Sequence, residues 1–158
     1  MQTVANKTVE ILREKNLTVA AAESCTGGLV AAKITSVSGS SAVISFSMTT
    51  YSNEVKIEKL GVSRKTIEEF GAVSKQTARE MAENIRKMAK ADIGVSVTGV
   101  AGPSMSEGKA VGTVFIGICT EQKTMVVQLE EAPLTRDEIR EKAAERALEL
   151  VLETAKAY

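Results

Sequence analysis

From Thr3 to Lys15 the side chains Val4, Lys7, Thr8, Ile11 and Leu12 recur at helical spacing, and Asn16 is placed to end the turn, which predicts an amphipathic helix. An apolar run from Leu17 to Ala22 then predicts a buried strand. It gives way to Glu23-Ser-Cys-Thr-Gly-Gly28, after which Leu29, Val30 and Ile34 mark a short helix from Leu29 to Ile34. Ser24 therefore falls at a strand-to-helix corner. Ser36 to Ser41 reads as a loop by composition. Val43 to Tyr51 alternates, with Val43, Ser45, Ser47 and Thr49 on one face and Ile44, Phe46 and Met48 on the other, as a second strand would.

Asn53 is read as the N-cap of a helix from Glu54 to Leu60 that Gly61 stops. Ser63 and Ser74 are read as further caps. The first opens a helix ending near Phe70-Gly71, and the second a longer one from Lys75 to Ala91 with Ala78, Met81, Ala82 and Ile85 as its apolar stripe. Asp92 to Thr98 predicts a strand that runs into the glycine-rich loop Gly99-Val-Ala-Gly-Pro103. Val111 to Thr120 and Thr124 to Leu129 form a strand pair about the turn Glu121-Gln-Lys123. Last, Thr135-Arg-Asp-Glu138 is a capping box for a helix reaching almost to Tyr158, its stripe being Ile139, Ala143, Ala147, Leu150 and Val151.

Strands and helices alternate in the first half and a hairpin closes the second. This order predicts an α/β fold, a three-layer α/β/α sandwich over a mixed, mainly parallel sheet of about five strands. Ligands in such folds collect beyond the carboxyl ends of strands. Ser24, Tyr51 and Thr98-Gly99 each follow a strand, so parallel neighbours would bring the three corners to one cleft.

Composition narrows the chemistry. The 158 residues, 44% hydrophobic and 25% charged, suit a single domain spanning residues 1–158. Basic and acidic residues both number 20 and aromatics make up 3%, so neither an electrostatic footprint nor a stacking surface for nucleic acid is expected. The start, Met1-Gln-Thr-Val-Ala-Asn-Lys7, carries no basic segment followed by an apolar core, and no apolar run approaches membrane-spanning length. A cytoplasmic protein with no membrane partner is expected. Cys25 and Cys119 are too few for a disulfide framework and are expected to be reduced.

The absence of histidine is the sharpest constraint. It removes Ser-His, Cys-His and His-metal arrangements, and two distant cysteines make no thiolate zinc site, so no metal and no cofactor is expected. An enzyme built from this chain needs a lysine, tyrosine or carboxylate as its base.

At the serine corner, the free N–H groups of a first helical turn favour negative charge, and Gly27 and Gly28 would admit a ligand close to that backbone. Helix capping by Ser24 or Thr26 is the alternative reading. Serine becomes a nucleophile once a partner takes its proton, and a desolvated lysine is able to do so. Lys56 sits one turn into a predicted helix with Leu60 on the same face. Tyr51 ends the preceding strand, where its hydroxyl would position the amine or relay a proton. The alternative is an ordinary surface lysine and an ordinary packed tyrosine. Gly99-Val-Ala-Gly102 lacks the third glycine of a dinucleotide fingerprint. Gly102 to Lys109 fails as a P-loop, because it is one residue too long, has Ala110 in place of Ser or Thr, and leads into a strand. A cradle of backbone N–H groups at Gly99 to Gly102 and a purely structural turn both stay open.

Taken in order, Ala22-Glu-Ser-Cys-Thr-Gly-Gly28, Thr50-Tyr-Ser-Asn-Glu54 with Lys56 and Gly61-Val62, Gly71-Ala-Val-Ser74, and Thr98-Gly-Val-Ala-Gly-Pro103 followed by Val111-Gly-Thr-Val114 resemble the CinA C-terminal domain family. The resemblance implies a three-layer α/β/α domain that hydrolyses the amide of nicotinamide mononucleotide to nicotinate mononucleotide and ammonia. It implies Ser24 as nucleophile, Lys56 as base and Tyr51 assisting. On this reading N–H groups around Thr26, Gly27 and Gly28 hold the oxyanion, Ser52, Asn53, Thr98, Gly99 and Gly102 contact substrate, and Arg136 with the Gly99 to Gly102 loop holds the phosphate. The chain departs from the family pattern in Ser104-Met-Ser-Glu-Gly-Lys-Ala110, where the family has a longer, glycine-richer loop, and in Leu134-Thr-Arg136, where it has Gly-Asp-Arg. A binding module that keeps the pocket without turnover is the second expectation, and the expected partners are a small nucleotide and a second copy of the chain, as a dimer.

Overall fold

The fold is described from a computed structural model, which covers residues 1–130 and 134–158. The altered loop 133–136 thus begins, at Pro133, outside the described residues. Helix α1 (Val4–Glu14) opens on a capping box between Thr3 and Asn6, and Asn16 ends that turn in the left-handed region at φ 54°. Strand β1 (Val19–Glu23) is buried along its whole length. Helix α2 (Leu29–Thr35) follows, then a single 3-10 turn at Ser40–Ala42 inside the expected loop.

Strand β2 (Ser47–Thr49) is much shorter than the alternation over Val43 to Tyr51 predicts. It is an edge strand whose partners are only Ala21 to Glu23, so the ladder stops where β1 stops. Val43 is nevertheless fully buried, and its carbonyl accepts from Val19 N–H at 2.8 Å. Helix α3 (Asn53–Glu58) is capped by Ser52, not by Asn53. The Ser52 hydroxyl reaches Val55 N–H, one residue earlier than the sequence suggests. Helix α4 (Arg64–Phe70) begins after Ser63 with no side-chain cap, and the Ser63 N–H donates to Glu80. Ser74 does cap α5 (Lys75–Ala89) through Thr77 N–H.

Strands β3 (Ile93–Gly99), β4 (Thr113–Cys119) and β5 (Thr124–Glu130) complete one sheet in the order β2-β1-β3-β4-β5, and α6 (Arg136–Lys156) returns over it. β1 is parallel to both β2 and β3, whereas β4 is antiparallel to β3 and to β5, so only β4 opposes the common direction. The period of two along β1 sorts its side chains between the layers. Val19 and Ala21 join Val9, Leu12, Ile34, Ala147 and Leu148 in the core beneath α1, α2 and α6, while Ala20 and Ala22 join Leu60, Ile67, Met81 and Ile85 on the other side.

Helix α5 lies unusually close to the sheet. A Cβ on Gly94 would fall 2.3 Å from the Ala82 carbonyl oxygen, and one on Gly117 would fall 2.5 Å from that of Ala78. Between them the buried Ser96 hydroxyl donates to Ala78 O and accepts from Gly117 N–H. Among the described residues no helix is long and apolar enough to cross a membrane.

Candidate active site

The chain leaves β1 for β2 on one side and returns to β3 on the other, which makes the carboxyl end of β1 a topological switch point. Ser24 stands there, its N–H still paired with Val97 O of β3 at 2.9 Å. The alternation of β1 carries over the corner. Glu23 turns toward α2, and Ser24 turns to the opposite face, where α3 presents Lys56.

Lys56 is 1% exposed, the largest fully buried side chain described. Its Nζ lies 2.9 Å from Ser24 Oγ, 2.7 Å from Thr50 O and 3.4 Å from Tyr51 O. Burial lowers its pKa from 10.5 to about 8, against the smaller opposing pull of Cys25 and Glu107. As an ammonium Lys56 donates to Ser24 Oγ and to both carbonyls; once deprotonated it keeps two N–H bonds for the carbonyls and turns one lone pair to the serine hydroxyl. An uncharged amine so placed has the chemistry to accept a hydroxyl proton.

The Tyr51 hydroxyl does not complete this pair. Tyr51 is 60% exposed, and its hydroxyl accepts from Arg136 Nη2 at 2.9 Å, so what it offers Lys56 is its main-chain carbonyl. The expected relay through the phenol therefore has no counterpart in the hydrogen bonding. Arg136 also donates to Gly102 O, which ties the start of α6 to the loop after β3.

The helix N-terminus expected to face an anion is already occupied. Glu23, 1% exposed, accepts from Val30 N–H at 2.8 Å, Ala31 N–H at 3.0 Å and the Thr26 hydroxyl at 2.6 Å. It caps α2 in place of Ser24 or Thr26, because only a side chain on the α2 face of β1 reaches those donors. The Gly27 N–H donates to Ser24 O, and Gly27 and Gly28 adopt φ of 61° and 106° to turn the corner. Of the donors around the corner, Thr26 and Gly28 N–H have no partner among the described residues, and Cys25 N–H meets only its own thiol. The set expected at Thr26 to Gly28 thus loses Gly27 and gains Cys25.

A cleft of about 220 Å³ opens over the pair. Of the expected residues it is lined by Ser24, Lys56, Tyr51, Asn53, Thr98, Gly99, Gly102 and Arg136. Thr26, Gly27, Gly28 and Ser52 are not in its wall. The Thr98 hydroxyl is turned to Ala72 O at 2.8 Å, and the Gly99 to Gly102 loop is partly bound to β4 through Val100 N–H and Thr113 O. Gly99 and Gly102 are needed there because a Cβ would fall 2.7 Å from Val114 Cγ2 and 2.6 Å from Val111 Cγ1 respectively.

Sequence reasoning did not single out Glu107, Cys25 or Arg140. Glu107 also lines the cleft and accepts from Ala72 and Val73 N–H, pinning the altered loop against the segment before α5. Cys25 lines it too, its thiol pushed up to about 11 by burial. Arg140 on α6 donates to Cys25 O at 3.0 Å and Thr26 O at 3.2 Å. A larger cleft of about 410 Å³ lies at the other end of the sheet, between the β4–β5 turn and the end of α6; its one cation is the exposed Lys123. Among the described residues no cluster of three or more His, Cys, Asp or Glu is placed to hold a metal ion.

The model of the CinA C-terminal domain matches residues 1–155. A CinA-like protein of Kosmotoga olearia is 48% identical over 144 residues, covering 90% of this chain and 35% of its own length. The chain spans little more than a third of the curated relatives it matches. Among solved structures, the competence/damage inducible protein CihA from Agrobacterium tumefaciens superposes with a TM-score of 0.92 at 37% identity, covering 95% of this chain and 92% of that one. The competence or damage-inducible protein from Enterobacter asburiae gives 0.92 at 31% identity, covering 98% and 99%. The match over nearly all of the sequence and the likeness in fold together place this chain in the CinA C-terminal domain family.

Proposed function

We propose that the protein is an amide hydrolase that deamidates nicotinamide mononucleotide, with Ser24 as nucleophile and neutral Lys56 as base. The observation that carries this reading is the 2.9 Å approach of a buried lysine amine to a serine hydroxyl at a strand-to-helix corner. Ser24 Oγ bonds to the carboxamide carbon as its proton passes to Lys56 Nζ. The resulting ammonium returns the proton to the departing nitrogen, the C–N bond breaks, and ammonia leaves an ester on Ser24. Water, deprotonated by the same amine, then cleaves the ester to carboxylate and free serine. The N–H groups beside Ser24 stabilise the oxyanion of each step. Arg136 supplies a cation at the rim for a phosphate.

Ammonia release from nicotinamide mononucleotide by the purified chain tests the reading. Turnover is expected in the wild type and a loss of at least roughly a thousandfold in Ser24→Ala and in Lys56→Met. Binding of the nucleotide without turnover in the wild type would overturn the hydrolase and favour a binding module of the same fold.

A further inference from the structure

Arg140 is the cation that touches the serine corner from behind. Its Nε donates to Cys25 O at 3.0 Å and its Nη2 to Thr26 O at 3.2 Å, and Nη1 lies 3.7 Å from Asp137 Oδ1 one turn earlier on α6. It lies 115 positions from Cys25 in the chain, yet it binds two consecutive carbonyls.

Every carbonyl shares a peptide plane with the N–H that follows it. Cys25 C=O is one unit with Thr26 N–H, and Ser24 C=O is one unit with Cys25 N–H. The Ser24 carbonyl accepts from Gly27 N–H, and the Cys25 carbonyl accepts from Arg140. Both N–H groups immediately after the nucleophile therefore belong to peptides whose oxygens are held by donors. Hydrogen bonds in such chains polarise one another, so a charged donor on the oxygen strengthens and aims the N–H at the other end. Glu23 fixes the opposite side of the same turn through Thr26 and α2.

We propose that Arg140 is a positioning residue for the oxyanion site. By fixing the Cys25 carbonyl it holds the Cys25 backbone so that the Cys25 N–H, in the cleft wall beside Ser24, and not the N-terminus of α2, receives the negative charge that develops when Ser24 attacks. This role rests on the serine-lysine reading above. It requires only an activated Ser24 and makes no use of the identity of the amide.

The test uses a fluorophosphonate, in which Ser24 Oγ bonds to phosphorus, the P–F bond breaks, fluoride leaves and the serine proton passes to Lys56, with the phosphoryl oxygen in the oxyanion position. Labelling of the full chain is followed by intact mass across pH in wild type, Arg140→Lys and Arg140→Met, with Ser24→Ala as the control for site. Arg140→Met is expected to label roughly ten- to a thousandfold more slowly, Arg140→Lys to recover part of the rate, and the pH midpoint to stay at the wild-type value in both. Equal rates in wild type and Arg140→Met would overturn the proposal. So would a shifted midpoint, which would mean that Arg140 acts through Lys56, or a wild-type Ser24 that is not labelled. Should nicotinamide mononucleotide fail as substrate while labelling follows the expected order, the amide reading falls and this inference stands. Circular dichroism and urea midpoints of the variants separate a slow, folded protein from an unfolded one.

Discussion

The Lys56 amine is shut away from solvent beside Ser24 Oγ. The amine binds a proton up to about 8 in the folded chain and up to 10.5 at its ordinary value, so between these limits the unfolded state holds more protons. Stability therefore rises with pH across that window, and the cost of burying the charged amine is felt fully below it. The Cys25 thiol, raised from 9.0 to about 11, works in the opposite sense between those two values, since the unfolded thiol ionises first. Lys56→Met retains Cys25 and removes only the lysine's smaller effect on the thiol, so the difference in urea stability between wild type and Lys56→Met is dominated by the lysine. That difference is expected to move by about 3 kcal/mol in favour of the wild type as pH rises through the window, and a constant difference would contradict it. Next to the pair, the Thr50 hydroxyl is buried with no partner among the described residues. Thr50→Val removes an unsatisfied polar group at nearly the same shape, and thermal unfolding is expected to show about 1 kcal/mol of stabilisation. At this scale the lack of histidine narrowed the base to a lysine, tyrosine or carboxylate, and the family resemblance pointed within that set to Lys56, with Ser24 as nucleophile. The sequence was silent on Glu23 and Arg140, because a carboxylate that caps a helix seven positions away and an arginine 115 positions distant leave no local pattern.

Among the elements, the helices were legible to within a residue or two because their caps and stripes are local. The caps themselves were less legible: Ser52 and Asn53 are both good caps and the backbone leaving β2 chooses Ser52, while Ser63 gives α4 no side-chain cap. The strand over Val43 to Tyr51 was overextended for a different reason. Alternation records which way side chains point, and it carries no information about where a neighbouring strand ends. The close packing of α5 on β3 and β4 was likewise hidden, since Gly94 and Gly117 within strands signal a close approach without naming the partner. Gly117→Ala would drive a Cβ against the Ala78 carbonyl and within 2.6 Å of the Ser96 hydroxyl. Destabilisation of about 1–3 kcal/mol is expected by urea denaturation, with the loss of the Ser96 bridge to α5. An unchanged midpoint would show that α5 moves away freely.

Across the whole molecule, the cleft is made by the three parallel strands β2, β1 and β3 ending together. Their order places the Ser24 corner between the segment that carries Lys56 and the loop that begins at Thr98, and α6 then closes the cleft with Arg136 above and Arg140 behind. The alternation of elements predicted this meeting in outline, since crossovers between parallel strands leave their loops at one end of the sheet. It did not reveal which atoms meet: the Tyr51 hydroxyl goes to Arg136 while its carbonyl goes to Lys56, an outcome set by tertiary packing alone. The fold thus lowers the proton affinity of one amine beside one hydroxyl, so that a usable fraction of it is uncharged near neutral pH. Titration of that amine can be read directly from the 13Cε resonance of Lys56 in lysine-labelled protein, assigned by Lys56→Met. A midpoint near 8 is expected, with no substrate present. A midpoint at the ordinary lysine value of 10.5 would leave the amine charged at neutral pH and Ser24 without a base.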